Sequence, residues 1–142
     1  MSKTWRIFLL WLFTAVFLSR VQGQIMVGIY APPWLPEWKE WYSGLLPYPW
    51  LVLSQLLLLM FIAVVNSDQT REGSQFQVTS DKTRGRLRLF AHLYVLAMVV
   101  RYVNRMIFVP EARWFGGTLP IWFHFGLAAW IYTIATESRK RT

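Results

Sequence analysis

The chain has 142 residues, of which 55% are hydrophobic, 18% aromatic and only 15% charged, with a formal net charge of +8 and no cysteine. That balance is too apolar for an ordinary soluble domain, and the lack of cysteine excludes disulfides, thiolate metal sites and cysteine nucleophiles. The basic residues gather at the ends of apolar stretches and not along one amphipathic face, which points to membrane topology and away from nucleic acid.

A bilayer core of about 30 Å takes roughly 20 helical residues, and four stretches fit it, at about 6–26, 49–66, 88–109 and 118–135. The fold expected is therefore all-α, one integral membrane domain with a small bundle of four transmembrane helices. In the first stretch Lys3 and Arg6 precede an apolar run, and Val21-Gln22-Gly23 before Gln24 also fits a cleaved signal peptide. A second apolar patch from Ile25 to Tyr30 follows at once and Arg20 interrupts the run, which favours a retained helix. Either outcome leaves the later topology unchanged.

Next, Trp34, Trp38, Trp41, Tyr42 and Leu45 recur at helical spacing, with Glu37, Lys39 and Glu40 on other faces. This predicts a short amphipathic helix over about 34–46 lying on the outer leaflet, either as an anchoring collar or as a lid over a site. Pro49 and Pro120 fall in the first turns of the second and fourth stretches, where a missing N–H is tolerated. Pro110 helps stop the third, and Thr118 is a suitable N-cap for the fourth. Between the second and third lies a polar loop at about 67–87.

Lys3, Arg6, Arg71, Lys82, Arg84, Arg86, Arg88, Arg139, Lys140 and Arg141 fall on one side of this arrangement, and only Lys39 and Arg113 on the other. The positive-inside rule then expects both termini in the cytoplasm, in a bacterial inner membrane. Trp34, Trp38, Trp41, Trp50, Trp114 and Trp122 gather at the opposite face, where indoles favour the headgroup region. Arg84, Arg86 and Arg88 read as a topogenic cluster touching anionic lipid of the inner leaflet.

Polar side chains at membrane depth are costly, so they are the default site candidates. Counted at about 1.5 Å per residue, Arg20, Gln55, Arg101 and His124 fall in one layer roughly 9–10 Å below the outer surface, contributed by four helices. All seven acids lie in loops or near helix ends, so an anion or a set of carbonyls should meet the guanidiniums. His92 falls on another surface near the inner headgroups, some 15 Å in depth from His124, too far for both to bracket one haem. His124 alone, between Phe123 and Phe125, could be a single axial ligand to a porphyrin or chlorin; no other metal site is readable.

No H-E-x-x-H, P-loop or G-x-S-x-G occurs, so the expectation leans away from an enzyme. The function expected is a non-catalytic accessory or scaffold subunit of a larger membrane complex, or a homo-oligomer, holding a lipid or other anionic headgroup in its outer half. The competing reading is a cofactor protein in which Arg101, Gln55 and His124 bind a quinone, porphyrin or carboxylated small molecule. An oligomeric small-solute transporter is third.

Overall fold

The computed structural model describes residues 1–42, 46–71, 73–78, 80–110 and 119–136. Among them every regular element is a helix: α1 (Lys3–Tyr30), α2 (Trp38–Trp41), α3 (Tyr48–Thr70), α4 (Asp81–Phe108) and α5 (Leu119–Ala135). α1 opens on Ser2, whose hydroxyl accepts the Trp5 N–H at 3.2 Å, and it closes on Ala31, whose N–H reaches back to Val27 O. Pro32 and Pro33 then prevent continuation. Prolines also start α3, with Pro47 as its cap and Pro49 in the first turn.

Three helices, α1, α3 and α4, are long and apolar enough to cross a membrane, so an integral membrane location is plausible. α5 is equally apolar but has 17 described residues, a rise of about 26 Å.

α1 is the centre of the bundle, packing against α2, α3 and α5, while α4 is held by α5. The backbones of α3 and α4 make no close contact among the described residues. The four long helices thus run in the spatial order α3, α1, α5, α4, each antiparallel to its neighbour. One end of the bundle carries Lys3, Thr70, Asp81 and Ala135 and is called the arginine end; the other carries Tyr30, Tyr48 and Leu119 and is called the aromatic end.

Toward the arginine end Leu10, Ile62, Val65, Trp130 and Ile134 form a buried cluster across α1, α3 and α5. Asn66, 1% exposed, ties the same three helices. Its Nδ2 donates to Leu10 O at 3.3 Å and to Thr14 Oγ1 at 2.8 Å, while its Oδ1 accepts the Trp130 indole N–H at 2.9 Å. Buried away from solvent, such a side chain must find protein partners, and here both ends of the amide do.

The described elements differ from the sequence expectations in places. The helix expected over 34–46 is a single turn at Trp38–Trp41, because Pro36 precedes it and because Trp41 points inward. Trp41 is buried against α1 at Gly23, and its indole N–H bonds Pro36 O at 3.0 Å. Its aromatic face is spent on the protein and not on the leaflet; residues 43–45 lie outside the described set. Trp34 is exposed, as an interfacial residue would be, and Trp38 is half-buried, stacking edge-on to Tyr48.

The polar loop expected over 67–87 is shorter, since α3 continues to Thr70 and α4 starts at Asp81. Asp68 organises the connection by accepting from Ser74 Oγ and from the Gln75 and Phe76 N–H groups. Of the arginine triplet, Arg86 is exposed, Arg84 bonds Val78 O at 2.8 Å, and Arg88 donates twice to Ala135 O, at 3.2 and 3.3 Å. Arg88 therefore caps the Ala135 carbonyl at the end of α5, a use that charge counting does not anticipate.

A polar cleft between four helices

Near the aromatic half of the bundle, α1 and α5 form the floor of a cleft whose walls are α3 and α4. Its volume is about 290 Å³, at the lower end of the roughly 300–1,000 Å³ usual for small-molecule sites. Arg20 from α1, Gln55 from α3, Arg101 from α4 and His124 from α5 all line it. The four residues that depth counting places in one layer are thus brought to one space. Residue spacing gave the layer; only the packing of α3 and α4 around α1 and α5 turns the side chains toward each other.

The partners of these residues are neutral. Arg20, 7% exposed, donates to Gln24 Oε1 at 3.5 Å and lies 5.9 Å from the centre of the Phe123 ring. Its guanidinium is packed inside the bundle and not extended along the surface. At that distance, near the outer limit of such contacts, a cation over a ring recovers about 0.5–1 kcal/mol, against a desolvation cost of several. Arg101 is half-buried, with no hydrogen-bond partner among the described residues, and none of the described carboxylates lines the cleft.

Gln24 is the residue that sequence reasoning missed, because only ionisable groups and Gln55 were weighed at that depth. It is fully buried and sits one turn after Arg20 on the same face of α1, a signal that the i,i+4 spacing carried. Its Nε2 donates to Trp41 O at 3.2 Å, which fixes the amide and leaves Oε1 to accept from Arg20 and from Gln55 Nε2 at 3.3 Å. The orientation of Gln55 follows: Nε2 is engaged, and the buried Oε1 has no partner among the described residues. Tyr94 was also missed; its hydroxyl lies 2.6 Å from His124 Nδ1 and orients the imidazole from α4.

No family model, curated protein or solved structure matches this chain. The chemistry of the cleft is therefore read from its own atoms. Two guanidiniums, an imidazole held by a tyrosine, the Gln55 amide and Ser54 line a space with apolar walls of Phe17, Leu58, Phe123 and Leu127. Such a site attracts an anion, offers it planar two-point donors, and gives one acceptor to a neighbouring hydroxyl or ammonium. The described residues contain no group of three or more His, Cys, Asp or Glu placed to hold a metal.

Proposed function

We propose that this chain is a small multi-pass membrane protein that holds the anionic headgroup of a lipid or similar molecule between Arg20 and Arg101, with Gln55 and His124 completing the site. Its role is that of a non-catalytic accessory or scaffold subunit of a larger membrane complex. In this reading α5 is a fourth span, both termini face the cytoplasm, and the membrane is a bacterial inner membrane. The observation that carries it is the convergence of two guanidiniums from different helices on one cleft whose described lining has no carboxylate. A buried arginine without an ionic partner is expensive at membrane depth, so an anion there stabilises both ligand and bundle.

In this reading the partner subunit docks on α4, which is held on one side by α5 and exposes Leu89, Leu93, Leu96, Val100, Val103 and Ile107, a face that lipid covers otherwise. These alternate at spacings of four and three, the seam along which two helices interlock.

The test is Arg101→Gln beside Arg101→Lys, read as the anionic lipid retained by protein purified in mild detergent. Loss of a charge-assisted bond worth about 1.5–3 kcal/mol weakens retention roughly 10- to 150-fold in Arg101→Gln. Arg101→Lys, which keeps the charge but not the fork, falls between. Retention unchanged in Arg101→Gln, in a folded protein, defeats the reading. A second reading, favoured by the His124–Tyr94 pair, is a quinone whose carbonyls accept from the cleft donors; a redox-sensitive ultraviolet difference spectrum of the extracted ligand identifies it.

A further inference from the structure

Three observations about the cleft go beyond its charge. The first is the order of polar and apolar residues along the helices. Phe17 precedes Arg20 by three residues, Leu58 follows Gln55 by three, and Leu127 follows His124 by three. Because α1 runs opposite to α3 and α5, all three apolar side chains lie about 4.5 Å nearer the arginine end than their polar companions. The cleft is therefore polar toward the aromatic end and apolar beneath, matching a lipid whose headgroup faces the aromatic end and whose chains run to the bilayer centre.

The second is the route. α3 and α4 line opposite walls without backbone contact between them, so the cleft opens sideways, in the plane of the membrane. Toward the aromatic end its rim is apolar, with Leu46, Leu51 and Pro120, a poor path for a soluble anion. The third is Gln55, 6% exposed, whose Oε1 has no partner among the described residues. With almost no accessible surface, this acceptor reaches an occupant only when the amide turns toward the cleft, and its unmet bond favours an occupant that supplies a hydrogen there.

We propose that the cleft takes up one phospholipid sideways between α3 and α4, its phosphate on Arg20 and Arg101, a headgroup hydroxyl or ammonium hydrogen on Gln55 Oε1, and an acyl chain descending past Leu58. This rests on the anionic-headgroup reading and adds the class of ligand, its orientation and its route. An oxidised quinone satisfies the arginines but has no hydrogen for Gln55, and a soluble phosphate has no use for the apolar floor.

The experiment uses the full chain in detergent, with delipidation and readdition followed by native mass spectrometry. Four probes are compared: phosphatidylglycerol, phosphatidylmethanol, phosphatidylcholine, and glycerophosphoglycerol, which is the first headgroup without chains. Phosphatidylglycerol is expected to bind once per chain, about fivefold more tightly than phosphatidylmethanol, which has the same charge but no donor. It should exceed phosphatidylcholine by about tenfold or more, and millimolar glycerophosphoglycerol should not displace it.

Displacement by glycerophosphoglycerol overturns the lipid and its lateral route while leaving an anion site intact. Equal binding of phosphatidylglycerol and phosphatidylmethanol overturns the role of Gln55. Equal binding of all three lipids defeats the anionic reading itself. A phosphatidylglycerol carrying a photoreactive group midway along one chain should label peptides containing Leu58 or Leu127, and labelling confined to the aromatic end, at 26–42 or 104–110, overturns the orientation.

Discussion

Gly23 should be the least replaceable glycine of the bundle, because Trp41 occupies the space where a side chain would begin. A Cβ built there lies 2.5 Å from Trp41 Cη2 and 2.8 Å from Cζ3. Ordinary contact starts near 3.4 Å, so the indole must retreat by about 0.9 Å, an overpacking strain of about 1–3 kcal/mol. The ring is buried and its N–H is tethered to Pro36 O, which leaves it little freedom to move. Gly126 supplies the control: its Cβ would meet only Val16 Cγ1 at 3.8 Å. There alanine adds helix propensity worth about 1 kcal/mol without a clash. Propensity cancels in the difference, so Gly23→Ala should be about 1–3 kcal/mol less stable than Gly126→Ala.

Circular dichroism during SDS titration of mixed micelles measures both. Because Trp41 O also accepts from Gln24, which in turn holds Gln55 and Arg20, Gly23→Ala should lose anionic lipid as well. Gly126→Ala should keep it. Trp41→Phe, which shortens the offending ring, should recover part of the loss as a coupling of about 1 kcal/mol. Gly23→Ala and Gly126→Ala agreeing within about 0.5 kcal/mol would refute the packing argument.

Asn66→Leu should cost about 2–3 kcal/mol, from hydrogen bonds worth about 0.6 each at membrane depth and a stranded Trp130 donor worth about 1 more; the same SDS titration reads it, and a change below about 0.5 kcal/mol contradicts the three-helix clamp. Arg88→Ala uncaps α5 at an exposed position and should cost about 1 kcal/mol at most, with faster amide exchange confined to the last turn of α5; exchange spread over the whole bundle would be the wrong outcome. The intact protein should retain residues 1–23, since α1 supplies Leu10, Thr14 and Arg20 to the core and cleft; a mature mass beginning at Gln24 contradicts this. Cysteines placed at Ser2 and Thr136 should resist an impermeant thiol reagent applied from outside while one at Glu37 reacts, and labelling of Ser2 and Thr136 positions from outside refutes the proposed orientation.

By itself the sequence determined the helical class and the apolar stretches that become the long helices, and it singled out Arg20, Gln55, Arg101 and His124, which the structure shows lining one cleft. These follow from hydropathy, proline positions and a fixed rise per residue, all of which are local properties of the chain. It determined charge asymmetry as well, though not that Arg88 is used to cap α5. What neighbours what was decided by tertiary structure alone. That α1 is central, that α3 and α4 stay apart, and that Trp41 turns inward onto Gly23 depend on shape complementarity between distant surfaces, for which an apolar helix carries little pattern: nearly every face of α3 is equally hydrophobic. The same holds for Gln24 and Tyr94. Neutral and unremarkable in a list of residues, they become the groups that aim Gln55 and His124 only once Trp41 O and α4 are brought within hydrogen-bonding distance, because the amide and the imidazole take their orientation from partners far away in the chain.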